Sequence, residues 1–237
     1  MTDRTTRRRA GTLHLLGLCA LSAVAGCFTL SRPTTPSEVY VLGAAPRSAA
    51  AAQAGDAGGV TIGLRRPDLT PYLATRAIVV RRGSRIVTSG FRRWGEDPGA
   101  GVARAVAASL GAAPAIRAVD VAPWPARAKH DYLIQLHVTQ LEGVAAEDVM
   151  ATEGEAHVTA SWEIIRAEDG RLVARGETDR REAGWKVGDY RGLVTRLDQG
   201  LAGLASDLAA CIVRLGPPAT PAPDAASSGR IMVCGAP

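Results

Sequence analysis

Residues 155–165, EAHVTASWEII, decide the fold class. Ala156, Val158, Ala160, Trp162 and Ile164 fall on one face, and Glu155, His157, Thr159, Ser161 and Glu163 on the other. A period of two sustained over this length is a β-strand with one packed face, the other wet or paired with a partner. Downstream, Ala167-Glu168-Asp169-Gly170 turns the chain, and residues 171–180 return antiparallel. Upstream, within 131–141, Tyr132, Ile134, Leu136 and Val138 share a face in the same way.

Further from that centre the pattern changes period. Tyr190, Leu193, Leu197, Leu201, Leu204, Leu208 and Ile212 form one apolar stripe, with Arg191, Arg196, Asp198, Gln199 and Asp207 mostly off it, which is an amphipathic helix. A second helix opens at Asp97-Pro98, with Asp as N-cap and Pro at the first helical position. It presents Val102, Val106 and Leu110 and stops at Gly111. Strands are expected at 38–43, with Tyr40 and Leu42 on one face, at 60–64 and at 116–121. A hairpin of 77–82 and 85–88 is expected about Gly83-Ser84. Pro67 and Pro71 impose an extended loop between strands. Several strands, a helix, several strands and a helix give an α+β fold. Its expected form is two layers: a largely antiparallel or mixed sheet with both amphipathic helices on one face.

The first 27 residues carry a separate message. Arg4, Arg7, Arg8 and Arg9 precede the apolar run LHLLGLCALSAVAGC at 13–27. A basic head, a short apolar core and small residues at the cut make a secretory signal. The run is too short for a bilayer span of about 20 residues. Val24-Ala25-Gly26-Cys27 resembles a bacterial lipobox, which implies cleavage before Cys27 and acylation of that cysteine. The expected organisation is therefore a signal peptide at 1–26, then at 27–58 a lipidated tether with a first short strand and an alanine-rich linker. An α+β domain at 59–215 and a Pro/Ala-rich tail at 216–237 follow. Residues 216–228 read as disordered by composition.

Four of the 28 basic and one of the 23 acidic residues lie in 1–26, which leaves the mature chain a net charge of +2. That balance gives no argument for nucleic acid. Apart from Cys19 and Cys27, the cysteines are Cys211 and Cys234. In an oxidising compartment two readings stand open: a disulfide between them, or Cys211 as a small core group on its helix.

No catalytic constellation emerges. There is no GxSxG elbow, HExxH pair or phosphate loop, and nothing points to a cofactor or a metal. His130 adjoins Asp131, but strand neighbours point to opposite faces and neither orients the other. His137 and His157 sit on polar strand faces and read as solvated. Glu142, Glu147, Asp148, Glu153 and Glu155 crowd one connection without the spacing of a calcium loop, so 142–155 reads as a solvated acidic loop. Arg92-Arg93-Trp94 reads two ways: as a partner-contact hot spot, or as a Trp capping the core beside the helix start.

Four stretches resemble the PqiC-like family of ABC-type transport auxiliary lipoproteins. They are Tyr40-Val41-Leu42; Pro71-Tyr72-Leu73-Ala74-Thr75-Arg76-Ala77-Ile78-Val79-Val80-Arg81; Arg93-Trp94-Gly95-Glu96-Asp97; and Tyr132 to Val138 with the later Trp162. The chain departs from the pattern in its long linker at 44–58, in Gly95 and Gly99 at the helix start, and in the tail with Cys234. The resemblance implies no enzyme. It implies a lipoprotein facing the periplasm that serves an MCE-domain ABC system moving lipid between inner and outer membranes, with some members assembling as homo-oligomeric rings. Phe28 after the acylated cysteine, by analogy with enterobacterial sorting, favours the outer membrane. The alternative is an independent lipoprotein holding a hydrophobic ligand between sheet and helices.

Overall fold

The computed structural model describes residues 36–43, 59–218 and 231–235. The expected signal peptide, Cys27, residues 28–35 of the tether, the linker at 44–58 and residues 219–230 of the tail lie outside the described residues. The strands are β1 (Glu38–Tyr40), β2 (Val60–Leu64), β3 (Asp68–Leu69), β4 (Ala77–Arg82), β5 (Arg85–Trp94), β6 (Ile116–Val121), β7 (Tyr132–Ala145), β8 (Glu153–Arg166), β9 (Leu172–Lys186) and β10 (Met232–Gly235). Helix α1 (Pro98–Leu110) stands between β5 and β6, and α2 (Tyr190–Leu215) between β9 and β10. The fold is α+β, a mixed sheet with two helices, as the order of elements requires.

The sheet runs β1-β5-β4-β7-β8-β9-β10, and β7 is its spine. One side of β7 pairs antiparallel with β8, from Tyr132 opposite Arg166 to Ala145 opposite Gly154. The other side takes three parallel partners in succession: β2 at Tyr132, β3 at His137 and β4 at Gly143. The sheet therefore forks on that side, with β6 outside β2 and β5 and β1 outside β4. Tyr132, Ile134, Leu136 and Val138 are all buried, as their alternation demands. A register shift between Val138 and Gln140 then resets the pleat.

Both helices begin where their caps dictate. The Asp97 carboxylate accepts from the Ala100 amide at 3.1 Å, and Asp189 accepts from that of Gly192 at 2.9 Å. Val102, Val106 and Leu110 of α1 and Leu193, Leu197, Leu201, Leu204 and Leu208 of α2 are fully buried. The helices pack on each other, α2 against β8 and β9 and α1 against β6. A polar latch fixes α2 in place: Thr178 donates to Asp207 at 2.9 Å, and Arg180 reaches the other carboxylate oxygen at 2.5 Å.

Beyond the 216–228 stretch lies an element that the sequence reading did not assign: Met232–Gly235 forms the edge strand β10, parallel to β9, with Met232 opposite Ala174 and Gly235 opposite Glu177. Cys234 is bonded to Cys211 of α2, 23 residues earlier, and both are buried. Gly176 makes room for it: a Cβ there would run into the Cys234 carbonyl and the Trp162 ring. Serine at both cysteines is expected to lower stability by about 3 kcal/mol, the chain-entropy value for a loop of this size. Denaturant midpoints with and without reductant check it: the wild type shifts and the double variant does not.

Candidate functional site

Several residues that face outward on β7, β8 and β9 pair with one another. His157 Nε2 lies 2.9 Å from Glu155, Thr159 donates to Gln140 at 2.8 Å, and Arg181 pairs with Asp179 at 3.0 Å. The hydrogen bond from Arg181 holds the Asp179 carboxyl below the usual range. His137 faces Asp68 at 3.3 Å. His130 turns away from its neighbour Asp131 and meets Asp120 at 2.9 Å, with Trp124 edge-on at 4.9 Å between centroids. Asp131 instead accepts from the amide and hydroxyl of Thr61. Among the described residues no three His, Cys, Asp or Glu side chains gather as a metal site.

The acidic crowd is also corrected. Glu142 is not solvated: its side chain is fully buried, with Oε1 accepting from Arg81 Nε at 2.7 Å. Arg81 also donates to the Tyr72 hydroxyl at 2.9 Å, and that hydroxyl donates to the Thr139 carbonyl. Burial first, and then the Glu142 charge, push the Tyr72 phenol up. The other Glu142 oxygen, Oε2, has no partner.

Arg92, Arg93 and Trp94 lie in β5 itself, which continues past the expected end at Thr88. Trp94 is 5% exposed and belongs to the core. It is therefore the cap of the core beside α1, and the expectation of a Trp contact on the surface is corrected. Arg92 reaches Glu38 at 3.4 Å and lies over the Tyr190 ring of α2 at 5.2 Å. The Tyr40 hydroxyl, 2.6 Å from Glu38, and then Arg92 hold the Glu38 carboxyl below its usual range. Arg93 is exposed.

What sequence reasoning missed is apolar. β5 is exposed along most of its length although it lies inside the sheet, between β4 and β1. Near one end Ile86 and Val87, on opposite faces of β5, are exposed, and so are Val149 and Met150 of the β7–β8 connection. Arg82 ties that connection down by donating to the Asp148 carbonyl at 2.6 Å. Near the other end Phe91 of β5 and Val39 and Val41 of the β1 segment are 51%, 63% and 41% exposed. Alternation does not reach Phe91, because the β4–β5 register slips between Thr88 and Arg93.

A family model described as ABC-type transport auxiliary lipoprotein component matches residues 40–209. The chain belongs to this family. Being such an auxiliary lipoprotein, it falls in a family of transport components and not of enzymes. Its fold is similar to the crystal structure of protein XCC0632 from Xanthomonas campestris, with TM-score 0.57 and 14% identity over 74% of this chain and 93% of that one. It is also similar to the crystal structure of an uncharacterized protein, with TM-score 0.56 and 18% identity over 74% of this chain and 98% of that one. At these identities the two structures show the fold alone. No curated protein matches the chain. Cys211 and β10 of this auxiliary lipoprotein lie beyond the matched residues.

Proposed function

We propose that the chain is an outer-membrane-anchored subunit facing the periplasm that docks an MCE-domain protein of an ABC transport system, so that lipid passes between inner and outer membranes. The family match over residues 40–209 carries this reading. The lipobox ending at Cys27 supplies the anchor, and Phe28 favours the outer membrane. Exposed apolar side chains on β5 (Ile86 and Val87) and on the β7–β8 connection (Val149 and Met150) suit a protein partner. In this reading several copies form a ring around the lipid path. The alternative, a lipid held between sheet and helices, finds that interface occupied by core side chains such as Leu197, Leu201 and Trp162.

The test is mild-detergent copurification of tagged full-length protein from native membranes, read by mass spectrometry. Recovery of an MCE-domain protein with its permease and ATPase is the expected result, and Met150→Asp should reduce it. Recovery of the lipoprotein alone with bound lipid would overturn the docking role.

A further inference from the structure

We propose that the strip formed by Val39, Val41, Phe91 and Arg93 rests on the phospholipid surface that holds the acyl chains, as a second foot beside the anchor. The inference rests on the lipidated reading of Cys27. Val39 is opposite Arg93 in the β1–β5 pair, and both Val39 and Val41 reach Gly95, whose Cβ would lie 2.9 and 3.1 Å from their methyls. Arg92, Tyr40 and Trp94 take the opposite side of the pleat, towards Tyr190 and the core. The three apolar side chains thus share one exposed face, and Arg93, which makes no ion pair with a described residue, is available to headgroup phosphate.

The length of the tether selects this occupant. Residues 28–37 separate Cys27 from β1, and ten extended residues reach at most about 35 Å. β1 is therefore the first described strand after Cys27, and its outward side chains lie within reach of the bilayer that holds the acyl chains. The exposed Ile86 at the other end of β5 is seven residues from Arg93, roughly 23 Å away at strand rise. A strip of three apolar residues is too small to hold a protein on a membrane alone. It suffices once the acyl chains raise its effective concentration at the surface. A lipid foot and a distal protein patch would then sit at opposite ends of one strand.

Hydrogen exchange on full-length acylated protein tests this, comparing detergent micelles with vesicles of phosphatidylethanolamine and phosphatidylglycerol. Intact mass reads the acyl group on Cys27 in the same sample. Peptides covering 37–42 and 89–94 are expected to exchange at least roughly threefold more slowly in vesicles, with 147–151 unchanged. The double variant Val39→Asp, Phe91→Asp should remain on the vesicles and lose that protection. Acylated protein with no added protection overturns the foot and leaves the anchor standing. Protection that rises with protein concentration at fixed lipid assigns the strip to a second copy and also overturns it. A mass without acyl groups overturns the anchor and the foot together.

Discussion

Replacing Trp94 with alanine costs the fold about 3–5 kcal/mol, the usual range for emptying a large buried aromatic site. Trp94 is 5% exposed, and its amide donates to the Arg76 carbonyl at 2.7 Å. It stands opposite Tyr40 in the β1–β5 register. The void would open where β1, β5 and the start of α1 meet, so β1 should loosen first. A domain stable by some 5–15 kcal/mol would lose a large part of its margin. Arg93→Ala, one residue away and exposed, should stay within about 0.5 kcal/mol. Urea denaturation of both variants checks the pair. An intact Trp94→Ala protein that only fails to bind its partner would return Trp94 to the surface.

The second large effect belongs to Arg81. Arg81→Ala should destabilise by about 3–5 kcal/mol, because it strands the buried Glu142 carboxylate, which already has one oxygen unpaired. The charge itself is the source of the cost, so removing both partners should be far milder. Arg81→Met with Glu142→Leu is expected to fall near the wild type or above it. A double-mutant cycle in denaturant decides the matter: a small cost for Arg81→Ala alone would mean that water reaches Glu142.

The strength of local signals set what could be read in advance. Helix α1 runs from Pro98 to Leu110 because Asp97, Pro98 and Gly111 are explicit start and stop residues. β8 followed from its alternation. β5 was read short because the β4–β5 pairing slips between Ala77 and Val79, which breaks the period just before Phe91. The Arg81–Glu142 pair spans 61 residues and leaves no local trace, so Glu142 was grouped with its acidic neighbours in sequence. β10 leaves little local trace, because it is four residues long and is held by one disulfide and its pairing with β9. The exposed apolar residues lie on strands and on connections beside them, and their exposure depends on which element fails to cover them.

The pairing pattern of the sheet also sets a timetable. β1 meets β5 across 54 residues, β2 meets β7 across 70, and β10 returns to β9 across 58. Contacts this distant must close long loops before they bring any gain, which puts folding in the slow regime of milliseconds to seconds. A chain in which such loops are still open stays pliable. The edge strand β10 waits for Met232, so the ten-stranded sheet is completed only after α2 and the residues that follow it are in hand.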